Sequence, residues 1–144
     1  MKKGKLTFLK PKKKDSLGQW LVEQGVSAGF PSPADDFKEI RISLDKELVK
    51  NSESTFYARV SGNSMEGANL SNGDLIVIDR SISAENNKIA VCLLDGEFTV
   101  KRIKVKKSKV YLKAENKNYD DIEINNENDF KIWGIVTYVI KSVI

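Results

Sequence analysis

The sequence predicts a mostly β, compact and partly closed antiparallel domain with an extended N-terminal arm, and three observations carry that reading. From Thr55 onward, short apolar runs recur with the two-residue alternation of half-buried strands. These runs are separated by Asn, Asp and Gly turns, not by helix-length segments, which argues for antiparallel neighbours. Before about Ile40 the chain is rich in lysine, glycine and proline and offers little apolar surface to a core.

Residues 1 to 40 read as the arm and residues 41 to 144 as the β domain. Within the arm, Ser16 to Gly25 allows a short helical turn, and Pro31 and Pro33 hold Phe30 to Pro33 extended by fixing φ and removing backbone donors. Asp35 to Arg41 is expected to form one or two helical turns, capped by Ser32 or Asp35. Strands are expected at Phe56 to Val60, within Asp74 to Asp79, at Lys88 to Leu94 and at Glu97 to Val105. The last two are joined by Asp95-Gly96, a strong hairpin signal. Lys109 to Ala114, Ile122 to Ile124 and Lys131 to Ile140 complete the set, with Met65 to Leu70 as one helical turn between strands. Trp133 to Ile140 is apolar on both faces, as a core strand or a dimer strand would be.

The 144 residues suffice for one domain with a single core and no disulfide or metal. At 40% hydrophobic and 31% charged residues, the chain is neither a disordered nor a membrane-spanning composition. The net charge of +4 is unevenly placed: residues 1 to 14 hold seven lysines and no acid, leaving 17 basic against 20 acidic residues in the rest. Such a tail suits either an acidic partner, nucleic acid included, or simple solvation. Cys92, the sole cysteine, lies in an apolar run and reads as a structural thiol, so no disulfide points to an oxidising compartment. Leu6 to Leu9 is too short for a signal-peptide core, no run is long enough to span a bilayer, and the expected location is the cytoplasm.

Histidine is absent, which removes the usual base for activating a serine hydroxyl. Ser64 stands in Ser61-Gly62-Asn63-Ser64-Met65, between a strand ending near Val60 and one beginning near Leu75. There a hydroxyl can face out of the fold while backbone N–H groups converge as an oxyanion site. Most serines in glycine-containing turns instead bond to local backbone, and Glu66 breaks the Gly-x-Ser-x-Gly pattern. Lys101 alternates with Thr99 and Ile103 on one face of its strand. Facing inward, it would lose charge through desolvation and become a usable base; facing outward, it is an ordinary solvated lysine.

Four segments occur in the order and spacing of the LexA/UmuD family of self-cleaving Ser-Lys proteins, which this chain resembles from about Gln24 to its C-terminus. They are Gly29-Phe30-Pro31-Ser32-Pro33-Ala34-Asp35-Asp36, Ser61 to Met65, Asn72-Gly73-Asp74-Leu75, and Asp95 to Lys101. The resemblance is strongest to the UmuD-like branch. It implies Ser64 as nucleophile, a buried neutral Lys101 as base, the backbone N–H groups of Asn63 and Ser64 as oxyanion donors, and the bond between Ala28 and Gly29 as the substrate. It implies no cofactor or metal. Where related sequences often carry Asp before the nucleophile, this one has Asn63, an exchange that keeps the main-chain donor.

By the same resemblance the protein forms a homodimer, is stimulated by a RecA filament on single-stranded DNA, and after cleavage serves an error-prone, UmuC-like polymerase in the SOS response. With 28 residues ahead of the bond there is no room for the helix-turn-helix domain of the repressor branch, so sequence-specific DNA binding is not expected. A β interaction module without proteolysis is the competing reading. A processing enzyme acting on other chains at a membrane would need a membrane segment, and a single-strand-binding module would need interleaved aromatics that the lysine arm lacks.

Overall fold

The computed structural model describes residues 6–10 and 41–144. The Ala28–Gly29 bond, the extended Phe30 to Pro33 stretch and the expected helical turns at Ser16 to Gly25 and within residues 35–40 lie outside these. The strands are β1 (Thr7–Leu9), β2 (Thr55–Arg59), β3 (Leu75–Asp79), β4 (Ile89–Leu94), β5 (Glu97–Lys106), β6 (Lys109–Lys113), β7 (Ile122–Ile124) and β8 (Phe130–Ile140), and all but β1 fall where the apolar runs place them. The one α-helix among the described residues is α1 (Leu44–Leu48), and Glu66–Ala68 forms a 3-10 turn.

Two elements depart from expectation. Thr7–Leu9, assigned to the arm, is a strand of the sheet. It pairs antiparallel with β2 through Thr7↔Arg59, Phe8↔Ala58 and Leu9↔Tyr57. Lysines on either side hide it in the sequence. The short helix sits at Leu44–Leu48, beyond the expected Asp35 to Arg41, with Asp45 and Glu47 in its first turn, where they complement the helix dipole. It buries none of its own residues and is fastened by the Tyr57 hydroxyl, which donates to the Asp45 carboxylate. Burial first, and then that carboxylate, push the Tyr57 phenol well above its ordinary pKa.

All strand pairs are antiparallel, in the order β1-β2-β3-β8-β4-β5-β6-β7. β8 therefore runs between β3 and β4 with both edges paired. Trp133 to Ile140 is thus an interior strand of the sheet, and a second copy could meet β8 only through side chains such as the exposed Tyr138 and Ile140. Against β3 the register skips Thr137, and against β4 it skips Trp133, so β8 carries an extra residue toward each neighbour. Bulges of this kind bend a strand and increase local twist. The sheet curls until Phe8 of β1 meets Phe98 of β5, with ring centroids 4.9 Å apart, although four strands lie between them in the sheet.

Curling divides the interior in two. One core gathers Ala58, Val60, Met65, Leu70, Ile76, Ile78, Val91 and Val100; the other gathers Ala90, Cys92, Ile103, Leu112 and Ile135. Alternate residues of β4 and β5 enter different cores, which is why Ile89–Leu94 reads as a continuous apolar run. The β4–β5 turn is built by Asp95 (φ 49°) and Gly96 (φ 84°), the two successive positive φ values that a two-residue hairpin requires. This hairpin sets the register that pairs Cys92 with Thr99 and Ala90 with Lys101.

Candidate active site

Ser64 lies in the connection between β2 and β3, and its position is fixed by bonds from three directions. Toward β3, the Val60 amide donates to Asp74 O at 2.8 Å, Gly73 N to Val60 O at 2.8 Å, and Gly62 N to Asn72 Oδ1 at 3.0 Å. Below, Met65 (2% exposed) and Leu70 (1%) anchor the connection in the first core. From the loop after β6, Asn116 Nδ2 donates to Asn63 O at 2.8 Å and the Tyr119 hydroxyl donates to Asn63 Oδ1 at 2.6 Å. Gly67 N donates to Glu115 O at 2.6 Å, and a Cβ on Gly67 would stand 2.6 Å from that same oxygen, so only glycine permits the approach.

Lys101 comes from the middle of β5 and is buried, with 7% of its surface exposed. Its Nζ lies 3.1 Å from Ser64 Oγ, 2.8 Å from Thr99 Oγ1 and 3.2 Å from Val100 O. Of the two orientations open to it, the strand takes the inward one. Three neutral oxygens surround the amine, and among the described residues no carboxylate pairs with it. Burial therefore pushes the Lys101 amine below its ordinary pKa, with the neighbouring Cys92 sulfur opposing the shift. Cys92 itself is fully buried, and burial pushes its thiol up to about 12, so it behaves as the structural thiol expected.

This geometry suits a neutral amine. An NH₂ group has two protons to donate and one lone pair. Val100 O can only accept, the Thr99 hydroxyl can accept the second proton, and the lone pair is left facing the Ser64 hydroxyl. A serine hydroxyl placed to donate to a desolvated amine meets the geometric requirement for activation as a nucleophile. Among the described residues, the Asn63 and Ser64 amides donate to no protein acceptor.

A cleft of about 390 Å³ opens in front of the pair, at the seam between the two cores. Leu6, Met65, Phe98, Leu94 and Ile122 supply apolar walls, with Tyr119 and Asp120 at the polar side. Sequence reading missed Thr99 as a partner of the amine, Asn116 and Tyr119 as holders of Asn63, and Leu6 as a wall. The period-two pattern did place Thr99 on the face of Lys101; the other three reach the site through tertiary closure. Among the described residues no cluster of His, Cys, Asp or Glu could hold a metal ion, and no helix is long and apolar enough to cross a membrane.

Fold and site together define a serine peptidase-like β protein whose serine is partnered by lysine. The chain belongs to the Peptidase S24-like family of autoproteolytic serine peptidases, whose description matches residues 21–137. It is 38% identical over 116 residues to the protein MucA of Salmonella typhimurium, covering 80% of this chain and 79% of MucA. It is also 36% identical over 130 residues to the protein ImpA of Escherichia coli, covering 90% and 88% of the two chains. The LexA repressor 1 of Geobacter sulfurreducens is 37% identical over 119 residues, which are 82% of this chain but 58% of the repressor.

Proposed function

We propose that this protein is a UmuD-like accessory factor of SOS mutagenesis that cleaves its own chain between Ala28 and Gly29. The observation carrying this reading is the buried Lys101 amine 3.1 Å from Ser64 Oγ, with no carboxylate partner among the described residues. Family membership and the near full-length correspondence to MucA and ImpA support it.

In the mechanism, Lys101 Nζ takes the proton of Ser64 Oγ as Oγ bonds to the Ala28 carbonyl carbon. The Asn63 and Ser64 amides hold the resulting oxyanion. On collapse, the C–N bond breaks and the Lys101 ammonium returns the proton to the departing Gly29 amine. Water, deprotonated by the same amine, then hydrolyses the Ala28 acyl ester and frees Ser64. Small residues on both sides of the bond let it enter the cleft. Intramolecular delivery contributes effective molarities of roughly 10⁵ M or more, which compensates for a modest nucleophile. A RecA filament on single-stranded DNA would favour the cleavable pose without adding catalytic groups. The processed chain, as a cytoplasmic homodimer, would serve a UmuC-like polymerase.

The test is incubation of the full chain across a rising pH series, with mass spectrometry of the products. Because Lys101 acts deprotonated and its pKa is depressed, scission should accelerate as pH rises through that pKa and then level off below the ordinary lysine range. Ser64→Ala and Lys101→Ala should each abolish the 1–28 product. Unchanged cleavage in either variant overturns the assignment.

A further inference from the structure

The strand β1 lies on the far side of the proposed scissile bond from the domain it completes. Its residues belong to the segment 1–28 that cleavage would detach, yet they are built into the body. β1 pairs with β2 over three residues, and Leu6 and Phe8 pack against the first core. The Phe8 ring lies 4.7 Å from Trp133 and 4.9 Å from Phe98, centroid to centroid. Trp133 in turn contacts Phe56 at 4.9 Å, and Lys10 Nζ stands 4.6 Å over the Phe56 ring. Leu6 continues into the wall of the Ser64 cleft.

We propose that the β2 edge and the Phe56–Phe98–Trp133 cage form a binding site for an extended segment bearing an aromatic side chain, and that residues 6–10 of this chain stay in it after the backbone is cut. Main-chain pairing along β2 supplies the attachment, and the cage selects the aromatic at the Phe8 position, the division of labour usual when a strand adds to a sheet edge. Scission of the chain beyond Lys10 breaks none of these contacts. The immediate product is thus a two-piece molecule with its sheet intact. The β2 edge opens to another extended segment only when the detached piece leaves, in a second, concentration-dependent step. The inference rests on the proposed cleavage for its biological setting, but the binding site itself does not depend on it.

The experiment separates the two. A protease-recognition sequence inserted between Gly18 and Gln19 of the full chain, in a Ser64→Ala background, allows cutting without self-cleavage. The nicked protein is then analysed by native mass spectrometry and size exclusion. The N-terminal piece is expected to travel with the body. In the Phe8→Ala variant it should be held at least about 10-fold more weakly, as expected for loss of a buried aromatic side chain; Phe8→Tyr, which keeps the ring, should retain it. Equal release of the piece from the unsubstituted, Phe8→Ala and Phe8→Tyr proteins overturns the proposal, as does displacement of β1 by a second copy's segment seen as a strand-exchanged dimer. Failure of the uninserted chain to cut itself bears on the proposed function alone.

Discussion

Lys101 shows how one buried amine is kept both low in pKa and useful. Its hydrogen bonds all go to neutral oxygens, which repay only part of the cost of a full charge. The Thr99 hydroxyl bonds more strongly to an ammonium than to a neutral amine, so it holds the pKa up as well as aiming Nζ. Thr99→Val should therefore move the midpoint of the cleavage–pH profile to lower pH while reducing its plateau about tenfold, the equivalent of one net hydrogen bond of about 1.4 kcal/mol. A pH series on single-turnover cleavage reads both effects, and a shift of the midpoint to higher pH would contradict the role given to Thr99. Legibility at this scale was uneven. Ser64 and Lys101 taken singly looked like a turn serine and a surface lysine, and only the ordered segments of the family singled them out. Asn116 and Tyr119 carried no signal, because their value lies in reaching Asn63 across 53 and 56 residues of chain.

Among the elements, the strands announced themselves and the connections did not. Apolar runs, alternating where one face is buried and continuous in β4 where both are, located seven strands to within a residue or two at each end. β1 escaped because three residues between lysines carry no detectable period. The connection bearing Ser64 and the loop after β6 are irregular, yet they are locked to each other through Gly67 and Glu115. Glu115 is itself held by Arg102 Nε at 2.6 Å, tying that loop to β5 one residue beyond the lysine. Gly67→Ala forces a Cβ onto Glu115 O. It should cost about 1–3 kcal/mol, as overpacking with a strained backbone hydrogen bond does, and slow cleavage by more than the unfolded fraction explains. Urea denaturation together with cleavage rates at equal folded fraction would reveal it. A loss of stability with normal cleavage would mean that the two loops do not set the serine.

At the scale of the molecule, the fold is a curled sheet with two cores and charged residues placed at its ends. Asp79 closes the β2–β3 end, accepting from Ser54 Oγ, Ser81 N and Ser81 Oγ. Asp74 sits at the other end of β3, accepting from Ser71 N and ion-paired with Lys141 beyond β8. Burial works to raise both carboxyls, but the bonds they accept outweigh it and hold both below their ordinary value. A carboxyl depressed in the folded state contributes stability above its unfolded pKa and loses it as pH falls through the folded one. Stability should thus be level through mildly acidic pH and drop below about pH 4. Asp74→Asn and Asp79→Asn should each flatten that drop in acid titrations followed by circular dichroism; an unaltered drop in both would move its origin elsewhere. The whole-molecule outline was legible because alternation and turn chemistry agree. Its curvature was not, because the skipped residues Trp133 and Thr137 look like any others in an apolar strand. The same layered interior encloses Cys92 in the middle of β4, on the strand directly beside Lys101. As the chain's only thiol, it turns alkylation kinetics into a gauge of how often the sheet breathes open at the level of the lysine, and so of how long the amine keeps its buried surroundings.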